Sequence, residues 1–260
     1  MGSAEVQGEL WGARAREWAE LQELSFRSLY EAAFKATHLG KDSALLDVGC
    51  GAGLALQIAQ AHGARVAGID ASEGLVAIAQ GRSPGADIRV GDIEDLPFAD
   101  HSFDIVTGFN SFQYAGDPVR ALTEARRVTR PNGYVLVAVW GAADHCELAP
   151  YLAALGKLLP PPPPGARGPF SLSAPGALEE LVGEAGLRPE GIGTVRTAMT
   201  FPDEATAVRG LLASGVAERA IRHSGEAAVS KGIAEAIKPS RTTQGSYSFR
   251  NEWRFLTSRA

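Results

Sequence analysis

The stretch Leu45-Leu-Asp-Val-Gly-Cys-Gly-Ala-Gly53 decides how this chain folds. An apolar pair leads into Asp47, and glycines then alternate at positions 49, 51 and 53. Leu54, Leu56 and Ile58 follow in a proline-free run that suits a helix. Strand, tight glycine turn and helix start together make the nucleotide-binding opening of a doubly wound α/β fold. The glycine spacing separates ligands. A dinucleotide fingerprint places its third glycine or alanine three residues after the second, and here that position is Leu54. Asp47 puts a carboxylate in the turn, which would repel a pyrophosphate and attract an ammonium group. S-adenosylmethionine carries that ammonium and no phosphate.

The pattern continues in order. Ala64-Arg-Val-Ala-Gly-Ile-Asp70 reads as a second strand ending in an acid, about 20 residues past the first glycine, where both ribose hydroxyls can be accepted. Next come Ile88-Arg-Val-Gly-Asp92-Ile-Glu-Asp-Leu-Pro-Phe98 and Phe103-Asp-Ile-Val-Thr-Gly-Phe-Asn110. A helix, the turn Arg130-Pro-Asn-Gly133 and a fifth strand run through to Trp140. Together, residues 40 to 142 resemble the core of class I S-adenosylmethionine-dependent methyltransferases, in the small-molecule branch that includes quinone-biosynthesis enzymes.

The resemblance implies a Rossmann-like, doubly wound, seven-stranded and mostly parallel sheet, with N-terminal helices and a helical cap insertion. It also implies roles. Gly49, Cys50, Gly51 and Gly53 would let the methionine half approach the backbone, and Asp47 would help hold its ammonium, directly or through water. Asp70 and Ala71 would meet the ribose, and Asp92 and the Ile93 amide would read adenine. Asn110 would sit near the transferring methyl. Cys50 reads as a small buried residue of the turn, its thiol inert.

Composition sets the outer limits. The chain has 260 residues, 45% hydrophobic and 21% charged, with a net charge of −5, as expected of a globular protein with a large core. No basic block invites a nucleic-acid backbone. Cys50 and Cys146 form neither a disulfide framework nor a zinc pattern, so no metal is expected. Residues 1 to 10 lack the basic start and apolar core of a signal peptide. No long apolar run suggests a membrane span, and the cytoplasm is the expected location. A homodimer is a possible assembly.

Four segments follow: an N-terminal helical lid over 1–40, the cofactor-binding core over 41–142, a proline-rich lid over 143–175, and a C-terminal part over 176–260. In the first, Leu10, Trp11, Trp18, Leu21, Phe26, Leu29 and Phe34 follow helical spacing. Trp11 and Trp18 read either as core packing or as pocket wall. The third segment holds Pro160 to Pro164, a stiff spacer, with Tyr151 and Phe170 as further pocket candidates. Strands are expected near 190–201 and 246–257. Between them, 203–244 carries two helical runs that read as a substrate cap or a dimerisation element.

Acceptor chemistry is less legible. Asn110-Ser-Phe-Gln-Tyr114 is not the Asn/Asp-Pro-Pro-Tyr/Phe signature of amide and nucleobase N-methyltransferases. Tyr114, His145 and His223 are the candidate general bases, though a pocket wall suits Tyr114 and a surface position suits either histidine. The expected activity is methylation of a small, hydrophobic or aromatic metabolite of the secondary-metabolite kind, at oxygen, leaving S-adenosylhomocysteine. The alternatives are a cofactor-binding protein that transfers no methyl, and a nicotinamide-dependent oxidoreductase.

Overall fold

The computed structural model describes residues 3–161 and 169–260; Pro162 to Pro164 of the expected spacer lie outside them. Seven strands form one sheet: β1 (Ala44–Val48), β2 (Arg65–Asp70), β3 (Asp87–Val90), β4 (Phe103–Phe109), β5 (Thr129–Trp140), β6 (Arg188–Phe201) and β7 (Tyr247–Arg259). Their order is β3-β2-β1-β4-β5-β7-β6. The first five pair in parallel, and β7 runs antiparallel between β5 and β6. The order reverses between β1 and β2 on one side and β4 on the other, which opens the ligand crevice at their carboxyl ends. The expected doubly wound fold is therefore observed.

Both faces of the sheet are covered, so its central strands are apolar at successive positions. Leu45 packs with Leu56, Ile105 and Leu136 on one face, while Leu46 and Val48 pack with Val106, Leu122 and Val137 on the other. The Pro131–Gly133 turn signal marks an interruption in the ladder. Phe103 pairs with Thr129 and Ile105 with Tyr134, and Asn132 takes a left-handed φ of 63° between them.

Eleven helices are described: α1 (Ala4–Gly12), α2 (Ala15–Glu17), α3 (Arg27–Ala36), α4 (Leu54–Ala61), α5 (Glu73–Arg82), α6 (Pro118–Val128), α7 (Ala149–Gly156), α8 (Ala177–Glu184), α9 (Glu204–Leu212), α10 (Gly215–Ser224) and α11 (Glu226–Ile237). Local chemistry sets several starts. The Ser72 hydroxyl accepts from Leu75 N at 3.2 Å, and the Asp117 carboxylate from Arg120 N at 3.0 Å with Pro118 at the first helical position.

Two expectations need correction. The N-terminal segment is not simply helical: between α2 and α3 it passes through a π turn (Trp18–Gln22) and a 3₁₀ turn (Glu23–Phe26). The break turns Gln22 and Glu23 inward, where Gln22 Nε2 donates to Gly210 O at 2.6 Å and Ala213 O at 3.1 Å. The insertion between β6 and β7 has three helices, α9 to α11, instead of two, because Ser214 and Gly225 each restart the chain. Its two ends meet: Phe201 and Tyr247 are register partners across β6 and β7.

Candidate functional site

The glycine turn is built by backbone geometry that side chains would spoil. Gly49 holds a φ of 75°, and a Cβ there would lie 2.4 Å from Ser111 Cβ. Gly53 holds a φ of 85° and sits against Ala79 of α5. Asp70, at the end of β2, fastens the turn: its Oδ2 accepts from Gly51 N and its Oδ1 from Ser72 N, each at 2.9 Å. Burial pushes the Asp70 carboxyl up, and those amides work against the shift. Asp92 Oδ1 accepts from Glu94 N at 2.9 Å.

Two cavities open above the switch point. The smaller, about 110 Å³, is lined by Gly49, Gly51, Asp70, Ala71, Asp92 and Ile93 on the core side, with Trp11, Trp18 and Tyr30 across from them. The larger, about 400 Å³, is mostly apolar, with Trp140, Leu148, Tyr151, Leu152, Met199 and Leu211 in its wall. Gln7, Trp11, Trp18, Phe26, Asn110 and Tyr114 line both. The Trp11 and Trp18 rings meet edge to face at 5.3 Å, and Trp11 meets Tyr114 at 5.5 Å. Both tryptophans are thus pocket wall as well as packing.

Several expected residues lie elsewhere. Asp47, Cys50 and Gly53 are outside the lining of the smaller cavity. β1 is buried on both faces, so Asp47 turns to Thr107 Oγ1, which donates to it at 2.7 Å. Cys50 packs beneath the turn against Gly68, and burial pushes its thiol well up. His145 is on the surface, paired with Glu252 Oε1 at 2.9 Å, and His223 is exposed on α10. Neither lines either cavity, so neither is placed as a base. Tyr114 does line both, but burial pushes its phenol up to about 12, which leaves it a proton donor at neutral pH. Phe170 packs on Trp140 at 5.9 Å, behind the wall that Pro169 and Ser171 form. Tyr151 lines the larger cavity as expected, its hydroxyl donating to Leu211 O at 2.8 Å.

Asp47 gives the fold a pH signature. Burial, with Asp70 and Glu23 nearby, pushes its carboxyl up to about 7 against the Thr107 hydrogen bond. The folded chain then keeps a proton that the unfolded chain releases from about pH 4 upward, so this group's contribution to stability falls as pH rises to about 7. Asp47→Asn keeps an oxygen for Thr107 and removes the charge. It is expected to be more stable than the parent at pH 8 by about 2–4 kcal/mol, with the gap closing toward pH 4. Urea unfolding at both pH values checks this; a gap independent of pH would contradict it.

Glu23 is the main residue that periodicity could not find. It is buried, its Oε1 accepts from Leu54 N at 3.1 Å, and it pairs with Arg82. Arg82 also donates to Ala52 O at 2.9 Å and Ala19 O at 3.3 Å. The pair ties the N-terminal segment to the first amide of α4, beside the turn. Ser111, whose hydroxyl donates to Val48 O at 2.6 Å, and Gln113 also belong to the site. Asn110, before them, takes a φ of 55°; its residue type tolerates that geometry.

Comparison with known proteins agrees with this architecture. Residues 46–137 match the family model described as "Methyltransferase domain". The chain is 31% identical over 205 residues to a malonyl-[acyl-carrier protein] O-methyltransferase of Erwinia pyrifoliae, covering 79% of this chain and 74% of the relative. It is 34% identical over 152 residues to the O-methyltransferase resE of Aspergillus sclerotiorum, covering 55% and 54%; the chain spans about half the length of that relative. The crystal structure of the [4+2]-cyclase SpnF superposes with a TM-score of 0.56 at 23% identity, covering 89% of this chain and 79% of that one, a likeness of fold. The chain belongs to the class I S-adenosylmethionine-dependent methyltransferase family.

Proposed function

We propose that this protein transfers a methyl group from S-adenosylmethionine to an oxygen of a small, largely hydrophobic metabolite. The observation that carries the reading is the pair of joined cavities: one faced by the glycine turn, Asp70 and Asp92, the other apolar, meeting at Trp11, Trp18, Asn110 and Tyr114.

The residues present fit the cofactor. Oxygens of Asp70 remain to accept ribose hydroxyls while the Gly51 and Ser72 amides hold the carboxylate in place. Asp92 and Ile93 line the same cavity, and adenine would lie beside them. Close backbone approach at Gly49 and Gly51 leaves room for the amino-acid end. When bound, S-adenosylmethionine supplies an electrophilic methyl on a sulfonium. The chain's own contribution is alignment and the exclusion of water by the aromatic wall, and such alignment supplies roughly 7–11 kcal/mol of a barrier. The O-methyltransferase relatives support oxygen as the acceptor atom.

Calorimetric titration tests the reading. Micromolar binding of S-adenosylmethionine and S-adenosylhomocysteine, with none of NAD, is expected. Absence of both would overturn it.

A further inference from the structure

We infer that the methyl acceptor enters as a preformed anion, a carboxylate on a hydrophobic body, and that Arg219 at the chamber rim draws it in. The inference rests on the proposed function and names its substrate class.

Among the described residues, the lining of the larger cavity holds none that could serve as a base. Its described lining contains no Asp, Glu, His or Lys, and residues 162–168, Pro-Pro-Pro-Gly-Ala-Arg-Gly, contain none either. The two phenols in the wall are unsuited to the task, because burial pushes Tyr114 up to about 12 and raises Tyr151 too. Gln7, Gln22, Asn110 and Gln113 supply neutral amides. Gln113 Oε1 is buried without a partner while its Nε2 donates to Asn110; turning both amides together presents the Gln113 NH₂ to the chamber instead. An acceptor that must lose its proton in the chamber would find nothing to take it. A carboxylic acid has lost it already, since its ordinary pKa is about 4.

Arg219 is the charged member of that described lining. It is exposed on α10, and among the described residues no acid lies in ion-pair distance of it. The acids around it are engaged elsewhere. Glu218 and Glu9 both pair with Arg222, at 3.2 Å and 2.8 Å, and Glu226 pairs with Arg14 at 2.8 Å. A free guanidinium over an apolar chamber suits a ligand that is anionic and otherwise greasy, and a cleft of one charge sign concentrates such ligands.

The step balances without a base. A carboxylate oxygen forms the new C–O bond as the methyl C–S bond breaks, and the electron pair passes to sulfur. The sulfonium and carboxylate charges cancel, a methyl ester and a neutral thioether result, and no proton is released.

Binding of octanoate and of octanol to the protein saturated with S-adenosylhomocysteine is the test. Octanoate is expected to bind at least about tenfold more tightly. Arg219→Ala should bring the two within about threefold, and Arg219→Lys should keep the preference. The side chain is exposed, so the melting temperature should not move. With S-adenosylmethionine, methyl octanoate should form at a rate flat between about pH 6 and 9. Equal binding of acid and alcohol would overturn the inference. So would a preference that survives Arg219→Ala, a rate climbing tenfold per pH unit, or bound octanoate that yields no ester. Failure to saturate with S-adenosylhomocysteine would count instead against the proposed function.

Discussion

Replacing Asp70 with alanine is expected to weaken S-adenosylhomocysteine binding by about a hundredfold or more. The carboxylate has two tasks. It accepts from the Gly51 and Ser72 amides at 2.9 Å, which fixes the turn, and it lines the smaller cavity with lone pairs to spare. Hydrogen bonds to a charged group contribute about 1.5–3 kcal/mol each, and a ribose offers two hydroxyls. The variant also leaves the two amides without their acceptor, which loosens the turn before any ligand arrives. Calorimetry gives the affinity, and a thermal melt of the free protein separates the two effects. Affinity within threefold of the parent would remove Asp70 from the site.

Arg82→Met should cost about 3–5 kcal/mol of stability, because it leaves the Glu23 carboxylate buried without its partner. Glu23 is 2% exposed, and burial already pushes its carboxyl up despite Arg82 and the Leu54 amide. A chain of this size loses about 2–4 °C per kcal/mol, so the midpoint should drop by about ten degrees. The N-terminal segment should also become easier to cleave by protease, since Arg82 releases Ala19 O and Ala52 O as well. A midpoint unchanged within two degrees would mean that Glu23 simply takes a proton and stays in place. Glu23→Gln with Arg82→Met should recover part of the loss, because no charge is then stranded.

Local chemistry explains what could be read before the structure. β1, the glycine turn and α4 follow from a short run whose period and positive-φ demands are set by neighbours in the chain. The same holds for the caps at Ser72 and Asp117. Asp70 is legible because it ends β2 beside the glycine turn, and Asp92 because it opens the loop that follows β3 at the same end of the sheet. What escaped reading depends on distant partners. Gln22 breaks the N-terminal helix to reach carbonyls at 210 and 213, and Glu23 goes inward for an arginine at 82; no periodicity carries that. Asp47 looked accessible because an acid beside a glycine turn suggests a ligand, yet a central strand covered on both faces keeps it below the turn. His145 and His223 followed from plausible chain positions, but the rotation of a short helical turn and of α10 sends each outward.

The register pair Phe201 and Tyr247 brings the two ends of the cap within one rung of a ladder. Everything from α9 to α11 is therefore inserted between two strands that pair with each other at its base. Loop length between joined strands costs little, about 0.6 kcal/mol per doubling, so the sheet sets almost no limit on what is inserted there. Ser214 and Arg219 of this insertion line the larger cavity, and Ser214 meets Tyr151 of α7 there at 3.0 Å, while Asp70 and Asp92 sit on strands and loops that it does not interrupt. Variation in length or sequence between β6 and β7 would thus reshape one side of the larger cavity while the strands and loops that carry Asp70 and Asp92 keep their course.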